Sequence, residues 1–580
     1  MNESVNIVAI VSKLLDSEKY KEALSIPYDE EHIENFKENC WEIVSVIIKK
    51  IDGDTLTIKP SLYAACEQLL SIILERSTPE EALLVFIEQI ELAKNDAQFS
   101  VSLTPLQQVL KKLSGKRGRS LEWCFNSIRT YIEGISIPDL NLEEKECLLL
   151  DSIPNFRRIT KIYSMLPLFY DPFIDEIMKS STDNTKAKEI VSVFLISLLG
   201  KPFIYFNVDP NLGAESEIRE NCKIIVKDIC KLEKNVLKLL VHVDVCYRES
   251  QNTKSNQKKD LNEEDPYTHR DKINITSLSG FFYAILSGHF EIPSYSVPQI
   301  FKKEYLIHSV MPCVIHLLSF TEYGPLAKAI TLCKVLVNFL DNKTSDALLS
   351  SSVHFELCKS LVNVAIYSNY ESIRKSAISL IEIHVNKFQY TGRCMLIKYL
   401  LDSSNHSGII GYSITLYKNC VDEAFKEEVL SDCFTGPQLL SMIKKICLLP
   451  HGAQSDLMEL ADQIITALNF LRYLTLKDVN NLSGIRDCFT MIENDYLDPL
   501  RTGLNMSKAH YEEKLKEIEE GKSASEDQNN ISVTVCGNLL DNIPTKNKKE
   551  IIYSALNAFH LIEGLVARLT ECINLNKNCT

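Results

Sequence analysis

Between Phe434 and Asp478 the sequence reads FTGPQLLSMIKKICLLPHGAQSDLMELADQIITALNFLRYLTLKD, which leaves one supersecondary structure open to it. Thr435 and Gln438 stand at capping-box spacing, and Pro437 falls in the first helical turn, where its missing N–H costs nothing. Leu439, Ile443 and Ile446 then repeat at helical spacing. Leu449-Pro450-His451-Gly452 ends that helix, because proline cannot continue the ladder and glycine tolerates a left-handed cap. Ser455 is placed to cap a second helix with the apolar stripe Leu457, Ala461, Ile464, Leu468 and Leu471. Such a hairpin cannot bury its apolar face alone, so a chain built from it must stack several.

The same helix-start device recurs at Thr78-Pro79-Glu80-Glu81 and at Thr104-Pro105-Leu106-Gln107. Only 19 glycines and 19 prolines in 580 residues leave room for long helices with few turns. No fixed period aligns, so the expected fold is all-α, made of degenerate HEAT-like helical repeats (α-solenoid-like) in two lobes. A chain this long exceeds one compact core. Helices are expected over 3–16, 29–51, 61–76, 120–134, 185–200 and 217–247. Residues 153–173, with prolines and aromatics, read as a poorly periodic connector and 205–216 as loop. The stretch 249–271 is polar without an apolar stripe. It suggests an N-terminal lobe over 1–248, a linker or mobile loop over 249–275, and a C-terminal lobe over 276–580. In the last, helices are expected over 276–287, 304–319, 323–341, 352–367, 369–389, 391–402, 406–417, 422–430, 437–448, 455–477, 485–519 and 546–574. The alternating run 531–536 reads as extended loop.

A formal net charge of −14 argues against nucleic acid as a partner, since phosphate binding needs a concentrated basic surface. The basic cluster Lys111, Lys112, Lys116, Arg117 and Arg119 suits cations complementing a helix C-terminus, with a nuclear-import signal or an anion site as the other reading. None of the 18 cysteines forms a CxxC pair, and Cys66, Cys333, Cys358 and Cys447 sit in apolar helical runs, as reduced core cysteines do. No signal peptide and no membrane span are expected. The expected compartment is reducing, the cytoplasm first and the nucleus second.

The sequence holds no Gly-rich phosphate loop, no HExxH and no GxSxG, so no enzyme and no cofactor is expected. His406, in Ser404-Asn405-His406-Ser407-Gly408, is too close in sequence to Ser404 and Ser407 to serve either as a base; capping by Ser404 or Asn405 is the simpler role. In the segment 497–512, Arg501, Asn505, Lys508 and Glu512 share one helical face, read as facing solvent. Leu500, Leu504 and Tyr511 share another, with Met506 turned away.

Several blocks together resemble the glomulin family: SNHSG at 404–408, the stretch 434–478 that ends in LRYLTLKD, LDPLRTGLNMSKAHYE at 497–512 and SALNAFHLIEGLVARLTECI at 554–573. The resemblance implies a HEAT-like, non-catalytic regulator of cullin–RING ubiquitin ligases. Its C-terminal lobe would bind the RING-box subunit, with its associated cullin, and mask the face that receives the ubiquitin-conjugating enzyme. An FK506-binding immunophilin is a further partner of that family. The candidate partner-binding residues are the polar or protruding ones of the matching blocks: Asn405, His406, Gln438, Arg472, Arg501, Asn505, Met506, Lys508 and Tyr511. A helical-repeat scaffold or transport adaptor unrelated to ubiquitin is the competing reading.

Overall fold

The computed structural model describes residues 6–113, 117–136, 154–180, 185–206, 208–210, 216–256, 273–519, 533–535, 538–540 and 545–578. It is an all-α helical-repeat protein. The described residues hold one short sheet, β1 (Val533–Val535) paired antiparallel with β2 (Asn538–Leu540), Val533 opposite Leu540. The run expected as extended loop therefore finds a partner in the segment just after it. No helix among the described residues is long and apolar enough to cross a membrane.

The chain divides into two compact units, Met1–Val335 and Leu336–Thr580. The first contains α1 (Ile7–Asp16), α2 (Tyr20–Ser25), α3 (Ile33–Glu38), α4 (Cys40–Lys49), α5 (Thr55–Ile58), α6 (Pro60–Arg76), α7 (Pro79–Glu91), α8 (Asp96–Lys112), α9 (Arg117–Glu133), α10 (Pro154–Lys179), α11 (Thr185–Ser197), α12 (Glu217–Leu232), α13 (Leu240–Asn256), α14 (Ile275–Leu286) and α15 (Lys303–Leu317), and carries α16 (Tyr323–Phe339) to the division. A helix packs on its successor and often on the next but one: α6 and α7 on α8, α7 on α9, α10 on α11 and α12, α13 on α14 and α15. That pattern is the packing of a helical-repeat stack, in which each pair is buried by its neighbours.

The units do not divide at 249–275. There α13 runs on into the polar stretch, and α14 and α15 pack back on α13. Polarity in a connection reports that it meets water, not that the helices on either side have parted. Residues 257–272 lie outside those described. Three further expectations are corrected. Residues 154–179 form one helix, α10, rather than a connector: Phe156, Ile159, Tyr163, Leu166, Tyr170 and Phe173 repeat at three and four along one buried face, and Pro167 and Pro172 are accommodated inside it. Thr104-Pro105 lies within α8, which starts instead at Asn95, whose side chain accepts from the Gln98 N–H. The run 217–247 breaks after α12, where Asn235 caps a 3-10 turn, Val236–Leu239. Of the basic cluster, Lys111 and Lys112 end α8, Lys112 donating to Leu74 O in the last turn of α6 and Lys111 to Gln107, whereas Arg117 and Arg119 fall in the first turn of α9 and complement no helix C-terminus of their own.

The α14 helix and the turn at 199–206 touch backbone to backbone. A Cβ added at Gly280 would fall inside the van der Waals shell of Leu199 O. Lys328, on α16, is buried, and its Nζ donates to Ile204 O at 2.9 Å and to Phe206 O, with the rings of Phe203 and Tyr283 at 5.5 and 5.6 Å. Two N–H donors are what a neutral amine has. Burial draws its pKa down to about 7, opposed by the nearby Cys222; an unfolded lysine titrates near about 10.4. Above pH 7 the unfolded chain therefore binds the extra proton, and the cost of burying this lysine fades as pH rises. Stability of the native chain minus that of Lys328→Met should grow by up to about 1.4 kcal/mol per pH unit from pH 7.5 to 9. Urea midpoints across that range measure it, and a flat difference would show the amine to be still solvated.

The second unit contains α17 (Val353–Tyr367), α18 (Glu371–Asn386), α19 (Tyr390–Ser403), α20 (Ser407–Ala424), α21 (Gly436–Ile446), α22 (Ala461–Lys477), α23 (Phe489–Met491), α24 (Asp498–Glu519) and α25 (Thr545–Asn578), with a π-helical turn at Ile492–Leu497. The α17–α20 helices pack in sequence order, α20 packs on α22, and α25 closes on both α22 and α24. Buried Tyr417 is the hub, its ring 5.7 Å from Phe434 and 5.5 Å from Phe470. His354 and His384 stack at 5.2 Å, fully buried, and burial pulls His384 down to about 4, keeping it neutral.

The organising hairpin forms with altered ends. Thr435 precedes α21 but its hydroxyl turns back to Asp432 O, so the capping box is not made. Ser455 accepts from the His451 N–H within the turn, while Asp456 accepts from Met458 and Glu459 and α22 starts only at Ala461. The Leu457, Ile464, Leu468 and Leu471 stripe is buried. The separate helix expected over 422–430 is absent, because α20 runs on to Ala424 and ends in turns.

Candidate partner-binding surface

The block at 404–408 forms the loop between α19 and α20. Ser404 is buried and its Oγ accepts from the His406 N–H at 3.2 Å, an ST-turn that stops one helix and starts the next. Ser407 Oγ accepts from the Gln463 N–H at 3.0 Å, pinning this loop to the first turn of α22. Both hydroxyls thus act on backbone N–H groups. The glycine has a local reason too: a Cβ at Gly408 would meet the His406 ring at 3.1 Å. At Gly411 it would meet Thr466 Oγ1 at 3.1 Å and Asp462 O at 3.2 Å, so small residues let α20 and α22 close up.

Asn405 and His406 are left exposed on the rim of an open groove of about 540 Å³. Its opposite wall is α17, through Val362, Asn363, Ile366 and Tyr367, and Glu459 and Asp462 add two carboxylates. Tyr367 is 65% exposed, a large apolar surface beside two polar side chains. The sequence reading missed the α17 wall, since Ile366 and Tyr367 fall outside every block that carried the resemblance.

Gln438 is exposed at the start of α21. Arg472 is half-buried on α22, with its Nε buried and unpaired. On the same helix Tyr473 donates to Asp422 Oδ1 at 2.6 Å, tying α22 to α20, and Lys426 with Tyr473 holds the Asp422 carboxyl down to about 2.

The helix α24 departs most from expectation. Arg501, its side chain 38% exposed, and Lys508, 16% exposed, do not stand free in solvent. Arg501 donates to Asp498 Oδ1 and to Thr570 Oγ1 at 2.7 Å, and Lys508 to Glu563 Oε2 at 2.7 Å, so both bind α25. Lys508 draws the Glu563 carboxyl below its ordinary value. Helical spacing placed these residues on one face; it did not say that α25, more than fifty residues further along the chain, would cover that face. Tyr511 is half-buried, its ring 5.4 Å from Phe559 of α25, and burial raises its phenol. Leu500 and Leu504 are buried as expected, and Gly503 rests on the Gly452–Gln454 turn, where a Cβ would lie 2.8 Å from Ala453 O. Asn505 and Met506 are exposed, Met506 by 54%.

The candidate set therefore separates. Asn405 and His406 share the groove rim, Asn505 and Met506 share the outer edge of α24, Gln438 stands at the α21 start, and Arg501, Lys508 and Tyr511 belong to the α24–α25 contact. Truncating Arg501 and Lys508 together to alanine should lower stability by about 1–2 kcal/mol, because each leaves a partner on α25 behind in a partly exposed site. A thermal melt measures it; an unchanged melt would put both residues back on the solvent face.

The described residues thus form an all-α helical-repeat protein with Asn405, His406, Asn505 and Met506 exposed at helix ends and edges. The profile of the family described as "Uncharacterised protein family, YAP/Alf4/glomulin" matches residues 16–535, and the chain belongs to that family. It is 27% identical to human glomulin over 570 residues, covering 96% of this chain and 91% of the human one. Mouse glomulin is 26% identical over 569 residues, with the same shares covered. Among solved structures, a circular tandem repeat protein with novel repeat topology and enhanced subunit contact surfaces aligns over 98% of each chain, at 11% identity and a TM-score of 0.23, too low to bear on the fold.

Proposed function

We propose that this chain is a non-catalytic regulator of cullin–RING ubiquitin ligases. It binds the RING-box subunit through the unit Leu336–Thr580, alongside the associated cullin, and masks the surface that a ubiquitin-conjugating enzyme must reach. The observation that carries this reading is the likeness to glomulin along 96% of the chain. The exposed members of the matching blocks suit the role. Asn405, His406, Asn505 and Met506 are adaptable or protruding side chains on a framework of packed helices. A standard interface of about 1,600 Å² fits on such a surface, and covering a partner's face inhibits it without chemistry from the inhibitor.

A titration of the full chain against a purified RING-box–cullin complex tests the reading. Saturable one-to-one binding is expected, and an Asn405→Ala/Met506→Ala variant should keep its melt while binding weakens, by about thirtyfold if either side chain is a central anchor. A folded chain that does not retain the RING-box subunit would overturn the proposal in favour of a scaffold or transport adaptor.

A further inference from the structure

Fifteen free cysteines fall among the described residues, most of them buried, Cys66, Cys124, Cys358 and Cys447 included. Two half-buried ones meet. Cys394 lies on α19, one helical turn after Thr391, so both side chains point to the same side of that helix. The 3-10 turn Asp432–Phe434 packs there and brings Cys433 Sγ to 3.6 Å from Thr391 Oγ1, on the side of α19 that carries Cys394; with Cys433 ionised, the Cys394 thiol and the Thr391 hydroxyl are the donors that face its sulfur. Phe434 clamps the turn in place, fully buried with its ring 5.3 Å from Tyr390 and 5.7 Å from Tyr417. Nothing in the ligase reading uses these thiols.

We propose that Cys394 and Cys433 are a hydroperoxide-responsive thiol pair that closes to an intramolecular disulfide, fastening α19 to the turn that leads into α21. The roles are set by their surroundings. Cys394 donates its proton towards Cys433, which draws the Cys433 thiol down to about 5 and raises Cys394. Cys433 is then the thiolate, and the thiolate is the nucleophile. Cys420, the third thiol nearby, is buried and pushed up to about 11 by burial, although Arg393 opposes this, so it stays a thiol.

In the first step the Cys433 thiolate attacks one oxygen of hydrogen peroxide. The S–O bond forms, the O–O bond breaks, and hydroxide leaves and takes up a proton as water, giving the sulfenic acid. In the second, the Cys394 sulfur attacks the Cys433 sulfur. The S–S bond forms, the S–O bond breaks, and the hydroxyl leaves with the Cys394 proton as a second water. Two thiols lose two electrons and two protons to one peroxide, and a dithiol reductant reverses the change.

The test uses the full chain and hydrogen peroxide. After stoichiometric oxidation and non-reducing digestion, mass spectrometry should find the Cys394 and Cys433 peptides joined and two hydrogens lighter, and dithiothreitol should separate them. In Cys394→Ser the reaction should stop at a sulfenic acid on Cys433 that dimedone traps. Iodoacetamide labelling of native protein adds a readout that needs no variant. Between pH 7.5 and 6 an ordinary thiol slows about thirtyfold, whereas Cys433 should slow by less than about twofold. Cys433 joined to a different cysteine, oxidation past the sulfenic acid with Cys394 untouched, or Cys433 labelling that falls as an ordinary thiol's does would each overturn the proposal.

Discussion

Asp478→Ala is expected to destabilise the unit Leu336–Thr580 by about 3–5 kcal/mol, through lost partners of buried donors. Asp478 follows α22 and is 2% exposed. Its carboxylate accepts from the Leu482 N–H at 2.7 Å, the Ser483 N–H at 2.8 Å and the Ser483 hydroxyl at 2.6 Å. Those bonds fold the 478–484 turn, and the turn in its own right supports the site: Ser483 O accepts from the Gly436 N–H that opens α21, and Ser483 Oγ accepts from Ile485 N–H. Gly484 completes it at φ +78°, a left-handed conformation that suits glycine. Alanine would strand three donors at once, at about 1–3 kcal/mol for a fully buried one and less for the half-buried Leu482 N–H. Asp478→Asn, which keeps an acceptor, should lose less. Denaturant midpoints of the two variants decide it, and a loss below about 1 kcal/mol for alanine would mean that water replaces the carboxylate.

Gly280→Ala is expected to destabilise the unit Met1–Val335 by about 3 kcal/mol or more. The atom it strikes is a backbone carbonyl, Leu199 O, which has no rotamer to change, so α14 or the 199–206 turn must shift. That turn holds the two carbonyls on which Lys328 donates, so the shift should also disturb a buried polar group. Gly564→Ala is the contrast. A Cβ there meets nothing within 4 Å, so the change should stabilise α25 by about 0.5–1 kcal/mol through helix propensity alone. If both variants melted at the native temperature, the close approach of α14 to the turn would be wrong.

The helices were legible where apolar residues recur at three and four. The α22 stripe, the α24 core positions and the run of α14 to α20 follow from that rule alone. Proline misled the reading in both directions. Thr104-Pro105 looks like a start but sits inside α8, and the prolines of 154–179 look like breaks but sit inside α10; in each case the buried face decided and local propensity yielded. Hydroxyls misled it at Thr435 and Ser455, because a side chain that can cap a helix can also close the turn before it. The candidate surface was legible as blocks of sequence but not as surface. Whether Arg501 meets water or Thr570 depends on a residue 69 positions later in the chain. The groove beside His406 needs α17, whose sequence carries no sign of it.

The most direct test of the masking account is a ubiquitin-transfer assay with a neddylated RING-box–cullin complex, a fixed amount of this chain and a rising amount of charged conjugating enzyme. The account predicts that the chain blocks transfer, that it leaves cullin neddylation unchanged, and that excess conjugating enzyme restores the full rate with the inhibition curve shifted in proportion to its concentration. Inhibition that persists at every concentration of conjugating enzyme, with the chain bound, would contradict it.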